Sequence, residues 1–299
     1  MSLVIHGTSV GKIYDSSPDT FFLRELTTVL DNTTLAALKA EAARILQEGT
    51  AKRYNFAPGK AGAAVSYGTL QRVSPQLCDF YESFAERVGQ QLALPLRPTP
   101  PSDNSSLSLL VYSRKGDHID WHYDLNFYKG RHFTVLVPLI VEGPVDAQLQ
   151  VALPSGAERC WRADLAPAPV CHASASQETV EAILGRRYAS SSGNAFPQAT
   201  VEAVPTEVGA VVVFEGAKVF HRVTPLGASK EAWKSSWTPP PSPPNGTPEA
   251  LQPSAGSEEP LRVVLSMTFC TDDRSSLLST YQRRLKDMTY FGLIQALFG

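Results

Sequence analysis

Apolar residues between positions 21 and 95 recur at helical spacing, so this segment is predicted to be helical, with a loop between two helices. The first apolar stripe consists of Leu35, Leu38, Ala42 and Leu46, and the second of Leu77, Phe80, Tyr81, Phe84, Val88 and Leu92. Capping oxygens on Asp31, Asn32 and Thr33 precede the first helix, and Ser74-Pro75 opens the second. Both stripes are expected to face a core, and the Gly/Ala-rich segment 52–68 is expected to be an irregular loop.

Beyond residue 106 the pattern changes to short β-prone segments separated by turn signals. Eight strands are predicted, at 107–113, 119–124, 133–141, 148–153, 200–204, 210–214, 218–223 and 261–270. Many short strands with such turn signals are typical of a sandwich or a barrel-like jelly roll. Helical spacing returns after residue 275, which predicts a C-terminal helix.

These patterns divide the chain into regions that we interpret as one unit. Residues 1–100 are predicted to be an N-terminal helical support region, 101–271 a jelly-roll domain with insertions at 154–199 and 228–260, and 272–299 a C-terminal helix. Eight of the 23 prolines lie between Pro239 and Pro260, so the second insertion is expected to form neither a helix nor a strand. A loop insertion is one interpretation of this segment, and a ligand for an SH3 or WW domain is the other.

Composition narrows the function classes. Hydrophobic residues make up 43% of the chain and charged residues 19%, which excludes a disordered or coiled-coil protein. The net charge of -2 gives no sign of a nucleic-acid binder. Because no secretory signal or membrane span is found, the protein is expected to be intracellular and cytoplasmic, with the nucleus as the open alternative. The widely spaced cysteines, which are Cys78, Cys160, Cys171 and Cys270, are expected to be free thiols.

One segment carries candidate metal chemistry. His122 and Asp124 lie two positions apart near a predicted strand end, so alternation places both side chains on one face. His221, on a late predicted strand, is the best third ligand. Two histidines and one carboxylate with open coordination positions are typical of a non-heme Fe(II) site. The pair alone is weak evidence, because a His-x-Asp pair is more often a hydrogen-bonded surface or core pair.

The surroundings of this pair resemble the iron(II)/2-oxoglutarate oxygenases, and within them the prolyl-hydroxylase-like branch. The matching positions over residues 107–270 are Tyr112, Gly116, His122, Asp124, Arg131, Thr134, Gly209, Phe214, His221, Val223, Pro225 and Arg262. This resemblance implies a double-stranded β-helix (jelly roll) with supporting N-terminal helices and a C-terminal helix. The fold class is accordingly predicted as α+β, mainly β.

The resemblance also implies a ligand set and a reaction. Fe(II) would be held by His122, Asp124 and His221, and 2-oxoglutarate by Arg262, with Tyr112 and Thr134 as hydroxyl donors. The implied enzyme is a dioxygenase that uses O2, with ascorbate as a candidate accessory reductant. It would hydroxylate an aliphatic carbon, by preference in a peptidyl, proline-like substrate, and release succinate and carbon dioxide. The open alternatives are a free amino acid or another small metabolite as substrate, and a non-catalytic protein that senses metal or 2-oxoglutarate or binds through its Pro-rich segment.

Two departures from the family pattern are visible. The basic residue follows the late histidine closely in the family, whereas residues 228–260 separate His221 from Arg262 here. Some relatives have a cosubstrate-binding tyrosine on the strand of Thr134, and Pro138 occupies its approximate place. The hydroxyl partner of Arg262 therefore stays open. The sequence also leaves the oligomeric state open.

Several neighbouring residues have alternative roles. His118 and Asp120 are expected to share the face of His122. His118 is expected to be a polar or supporting residue, and Asp120 either to orient a ligand or to bind solvent. Arg222 should point away from the metal. The fallback cations are Lys218 and Lys230. Trp121 and Tyr123 are expected to pack beneath the helices, whereas Trp233 and Trp237 either cover the pocket or belong to a surface loop. His6, His132 and His172 are expected to lie outside the site.

Overall fold

The computed structural model of the chain describes residues 23–26, 29–53, 60–103, 105–124, 126–143, 146–154, 199–204, 207–227 and 260–274. These ranges contain three helices: α1 (Asn32–Gln47), α2 (Tyr67–Val73) and α3 (Pro75–Leu92). The strands are β1 (Leu23–Leu26), β2 (Lys52–Arg53), β3 (Lys60–Ala61), β4 (Ala63–Ser66), β5 (Arg97–Pro98), β6 (Leu107–Tyr112), β7 (His118–His122), β8 (His132–Glu142), β9 (Leu149–Pro154), β10 (Ala199–Val204), β11 (Val211–Phe214), β12 (Phe220–Val223) and β13 (Leu261–Cys270).

Two antiparallel sheets face each other. The larger sheet has the order β1-β11-β8-β13-β6-β4-β2, with β5 also paired to β13, and the smaller sheet has the order β10-β9-β12-β7-β3. The eight strands predicted from the sequence divide four and four between the sheets. From β6 to β9 and from β10 to β13, successive strands alternate between the sheets, which is the winding of a double-stranded β-helix. The predicted fold class is therefore confirmed.

An apolar layer fills the space between the sheets. Strand alternation places Val212 and Phe214 of β11 on its larger-sheet side and Leu149 and Val151 of β9 on its smaller-sheet side, and all four are buried. Strands of both sheets project polar side chains into this layer, among them the two predicted histidine ligands and Arg262.

The three described helices cover the outer face of the larger sheet. Asp31 caps α1 by accepting a hydrogen bond from the Thr34 backbone N–H at 2.8 Å. Ser74 precedes α3 as predicted, but its hydroxyl donates to Glu41 Oε1 of α1 and so ties the two helices together. Both predicted stripes are confirmed as core: Leu38, Ala42, Leu77, Tyr81, Phe84 and Val88 are buried against strands of the larger sheet.

Strand β7 contains an extra residue that sets which side chains reach the apolar layer. His122 lies opposite His221 and Ile119 lies opposite Val223. A step of three residues along β7 therefore matches a step of two residues along β12. Ile119 and His122 therefore both face the layer. His118 and Asp120 alternate with Ile119 and lie on the opposite face, so the prediction that they share the face of His122 is wrong.

Two aromatic residues near the bulge pack differently from the prediction. Trp121 and Tyr123 do not lie beneath the helices. They pack on Phe220, with ring centroids 5.2 and 4.8 Å away, on the outer face of the smaller sheet. Arg222 lies over Trp121 and donates to Gln150 Oε1 at 3.0 Å, so it points away from the layer between the sheets as predicted.

The N-terminal region contains strands where helix or loop was predicted. Within the segment predicted to be helical, β1 pairs with β11 and extends the larger sheet. Within the predicted loop 52–68, β4 pairs with β6, β2 pairs with β4 and β3 pairs with β7, so this segment adds two strands to the edge of the larger sheet and one to the edge of the smaller sheet. A further short helix, α2, follows directly. Tertiary pairing therefore overrides the weak local preference of short Gly/Ala-rich stretches.

Some predictions fall on residues outside the described ranges: most of both insertions, the C-terminal helix, Trp233, Trp237, Lys230, His6, His172, Cys160 and Cys171. The division into domains stays a prediction. Cys78 and Cys270 are free and buried, as expected. None of the described helices is long and apolar enough to span a membrane.

The Tyr81 hydroxyl anchors α3 to the larger sheet, which gives a stability prediction. It donates to the Thr268 carbonyl at 2.7 Å and accepts from the Thr99 N–H at 2.9 Å, and the side chain is fully buried. Tyr81→Phe would leave both backbone groups without this partner, so we expect the free energy of unfolding to fall by about 1–3 kcal/mol. Urea denaturation measures it, and a loss below about 0.5 kcal/mol would argue against this anchor.

Candidate metal centre

Three potential metal ligands meet in the layer between the sheets. His122 ends β7, Asp124 follows two residues later, and His221 lies on β12 directly opposite His122. One ligand atom from each residue lies within 4.8 Å of the others. Asp124 Oδ1 is 3.6 Å from His122 Nε2 and 3.8 Å from His221 Nε2. The structure thus brings together the three side chains that the sequence analysis selected.

Backbone carbonyls orient both imidazoles. His122 Nδ1 lies 2.7 Å from the Asp120 carbonyl, and His221 Nδ1 lies 2.8 Å from the Val219 carbonyl. Because a carbonyl can only accept, each Nδ1 must donate, which leaves the Nε2 lone pair of a neutral ring aimed at Asp124. This orienting contact is typical of metal-binding histidines.

Asp124 is fixed through its other oxygen and its backbone. The Thr134 hydroxyl donates to Oδ2 at 2.5 Å, and the Asp124 N–H donates to the Gly216 carbonyl at 2.9 Å. Oδ1 is thereby left facing the two histidines. Since the hydrogen of the Thr134 hydroxyl is engaged by Asp124, Thr134 holds the carboxylate in this structure; its predicted part in cosubstrate binding stays a prediction.

The electrostatics favour the protonation states that a metal needs. Burial, followed by the nearby His122, lowers the pKa of His221 to about 4, so its imidazole is neutral at pH 7. Burial raises the pKa of Asp124, but its interactions with His221 and His122 in their protonated forms and the Thr134 hydrogen bond outweigh burial and hold that pKa well below its usual range. An ionised carboxylate beside a neutral imidazole is a suitable donor set for a divalent cation.

A buried arginine lies on the opposite wall of the same layer. Arg262 is 2% exposed on β13, next to Tyr112 of β6. Its Nη1 donates to the Ala147 carbonyl at 3.1 Å, and its Nε has no hydrogen-bond partner. Burial lowers the pKa of its guanidinium, and no carboxylate in the described part of the chain pairs with it. Burial of such a cation has a high cost in free energy unless an anion pairs with it.

Of the remaining candidates, Tyr112 lies beside Arg262, whereas Lys218 and His132 lie outside this part of the site. Lys218 is 3.6 Å from Glu215, so it does not replace Arg262 as a cation in the layer. Tyr112 is fully buried on the inner face, and its ring centroid lies 5.8 Å from the Arg262 guanidinium carbon. His132 lies at the start of β8 and its ring centroid is 6.1 Å from that of Tyr128, outside the ligand cluster.

Sequence reasoning missed Gly216, which contacts a ligand, and its neighbour Glu215. Gly216 approaches the Asp124 side chain so closely that a Cβ there would lie 2.1 Å from Asp124 Oδ2. Glu215, which precedes it, is buried and pairs with Arg131. A signal was present, since an acidic residue and a glycine directly follow an apolar strand a few residues before His221, but spacing alone does not place that turn against Asp124.

The fold and this cluster define a jelly-roll protein with a two-histidine, one-carboxylate site. The chain matches no protein-family model and no curated protein. Among solved structures, it is similar to the non-heme alpha-ketoglutarate-dependent epimerase SnoN from nogalamycin biosynthesis, with 15% identity over 88% of this chain and 82% of that chain and a TM-score of 0.49.

Two further solved structures are prolyl hydroxylases. The Pseudomonas putida prolyl-4-hydroxylase is 14% identical over 89% of this chain and 99% of that chain, with a TM-score of 0.46. The Trichoplax adhaerens prolyl hydroxylase, in complex with a hypoxia inducible factor peptide, is 11% identical over 94% of this chain and 92% of that chain, with a TM-score of 0.45.

Proposed function

We propose that this protein is an Fe(II)- and 2-oxoglutarate-dependent dioxygenase that hydroxylates an aliphatic carbon. The observation that carries the proposal is the cluster of His122, Asp124 and His221 on the inner wall of a jelly roll. When bound, Fe(II) and 2-oxoglutarate supply the oxidising chemistry that places one oxygen atom of O2 on the substrate carbon and the other in succinate, with release of carbon dioxide.

The three side chains are suited to Fe(II) by charge and by number. Two neutral imidazoles and one carboxylate leave a divalent ion with a net charge of about +1, which favours an anionic chelating cosubstrate. Three protein ligands leave coordination positions open. The backbone contacts of both Nδ1 atoms and the Thr134 contact of Asp124 fix the ligands before any metal binds.

Arg262 is the residue that would bind the far carboxylate of 2-oxoglutarate. Its guanidinium is buried, its Nε is without a partner, and its Nη1 reaches the Ala147 carbonyl, which lies two residues before β9 of the smaller sheet. A carboxylate there would accept charge-assisted hydrogen bonds from the guanidinium and neutralise its buried charge. Tyr112, beside Arg262 on the neighbouring strand, is the proposed hydroxyl partner.

The apolar walls of the layer would keep water from the reacting groups. Phe214 packs its ring edge-on to His221 with centroids 4.7 Å apart, and Val264 and Leu110 line the larger-sheet side. Exclusion of water strengthens the electrostatic contacts of Arg262 and limits side reactions.

A peptidyl, proline-like side chain is the proposed substrate. The support for this choice is the set of prolyl-hydroxylase-like motifs around His122 and His221, and the fold by itself does not select a substrate.

Succinate formation tests the proposal. The full chain is incubated with Fe(II), 2-oxoglutarate, ascorbate and a panel of proline-containing peptides, free amino acids and other small metabolites. We expect succinate to form in proportion to a product that has gained one oxygen atom, with peptides as the best substrates. Samples without Fe(II) are the control. A chain that binds Fe(II) but forms no succinate with any substrate would contradict the oxygenase, and one that binds no Fe(II) would contradict the metal site.

A further inference from the structure

One turn touches two metal ligands that come from different parts of the chain. It comprises residues 215–219 and joins β11 to β12. The Gly216 carbonyl accepts the Asp124 N–H at 2.9 Å, and the Val219 carbonyl accepts from His221 Nδ1 at 2.8 Å. The backbone of a single turn therefore contacts both Asp124 and His221.

The turn is closed and anchored by a buried carboxylate. The Glu215 carbonyl accepts the N–H groups of Lys218 at 2.8 Å and Val219 at 2.9 Å. Its side chain, 2% exposed, accepts two hydrogen bonds from Arg131, Nε to Oε1 at 2.8 Å and Nη2 to Oε2 at 3.0 Å. Arg131 directly precedes β8, so this bidentate pair fixes the turn to the larger sheet.

Gly216 also packs directly against the Asp124 carboxylate. A Cβ on Gly216 would lie 2.1 Å from Oδ2 and 2.7 Å from both Cβ and Cγ of Asp124. Gly216 is not among the glycines with positive φ, so its backbone suits any residue and only the missing side chain is required. The close approach confines the carboxylate to the orientation in which Oδ1 faces both histidines.

We propose that the turn 215–219 is a positioning device for the metal centre, with Gly216 setting the Asp124 carboxylate and Glu215 holding the turn in place. The proposal rests on the metal site of the proposed function. It adds a geometric requirement: the distance between Asp124 Oδ1 and His221 Nε2 is determined by one turn, not by the two strands independently.

Gly216→Ala tests this requirement with Co(II) as the probe. We expect Co(II) affinity to fall by about 10- to 100-fold, with a changed ligand-field spectrum in the residual complex. Gly68→Ala is the matched control, because a Cβ at Gly68 meets nothing within 4 Å and should leave affinity and spectrum unchanged.

A second readout without metal separates the contact with Asp124 from general damage. In the metal-free chain, Gly216→Ala is expected to lower the melting temperature by about 2–10 °C. In an Asp124→Gly background the opposing atoms are gone, so the same substitution should lower it by less than about 1 °C. Equal losses in both backgrounds would overturn the proposal.

Glu215→Gln keeps the proposal testable if Gly216→Ala does not fold. It preserves shape but weakens the pair with Arg131, and we expect Co(II) affinity to fall by about threefold or more with an altered spectrum. Wild-type affinity and spectrum in the folded variant would overturn the proposal while leaving the oxygenase intact. A wild-type chain that binds no Co(II) would instead contradict the metal site itself.

Discussion

Replacing His122 with Asn is expected to weaken Fe(II) or Co(II) binding by at least about 100-fold and to abolish succinate formation. The imidazole supplies one of three ligands, and its Nε2 faces Asp124 Oδ1 at 3.6 Å. An Asn side chain is shorter and offers a neutral amide oxygen, which is a poor ligand for a divalent transition metal. Calorimetry of metal binding and a succinate assay measure the two effects.

His118→Asn is the matched control because it makes the same substitution on the same strand. The bulge in β7 places His118 on the face opposite Ile119, where its Nδ1 lies 2.7 Å from the Gly116 carbonyl. An Asn amide can donate to that carbonyl, so metal affinity should stay within about threefold of wild type. Similar losses in both variants would contradict the assigned ligand set and the bulge that selects it.

Arg262→Met is expected to raise the KM for 2-oxoglutarate by about 100-fold or more while leaving metal affinity unchanged. The guanidinium is the buried cation available for the far carboxylate, and loss of one partner from a buried, hydrogen-bonded charge pair removes most of its binding energy. The KM of Arg262→Lys for 2-oxoglutarate should lie between those of the wild type and Arg262→Met. A lysine ammonium keeps the positive charge but cannot make two parallel hydrogen bonds to a carboxylate.

The stability of Arg262→Met distinguishes a loss of cosubstrate binding from a loss of folding. Removal of an incompletely paired buried charge costs little, so the metal-free Arg262→Met chain should unfold within about 1 kcal/mol of wild type. With bound metal, 2-oxoglutarate at about 100 times its Kd should raise the wild-type melting temperature by about 5–10 °C, and that of Arg262→Met by much less. Equal thermal shifts would show that the cosubstrate binds without Arg262.

Strand positions were predictable because each predicted strand carries its own local pattern. Long, β-branched runs such as β8 and β13 are buried on both faces, and their apolar composition marks them without tertiary information. The ligands His122 and His221 were found through their place at strands and through family motifs. The structure then places them opposite each other in the smaller sheet.

The parts that sequence reasoning missed depend on long-range contacts. Strands β2, β3 and β4 are short and exist through pairing with each other and with β6 and β7, so no local pattern identifies them. The bulge in β7 inverts the facing of His118 and Asp120 without any glycine or proline to mark it. Gly216 has an ordinary backbone conformation, and only the folded chain shows what its missing side chain accommodates.

The pairing of β9 with β10 has a consequence for how the length of this chain can vary. Pro154 and Ala199 are direct partners across the two strands, although residues 155–198 separate them in sequence. The entropy of closing a connection grows only logarithmically, so a tenfold longer connection costs about 2 kcal/mol. Val151 of β9 lies opposite His221, and its register is set by strand pairing and not by the connection. Insertions or deletions between these strands can therefore accumulate at small thermodynamic cost without displacing a metal ligand.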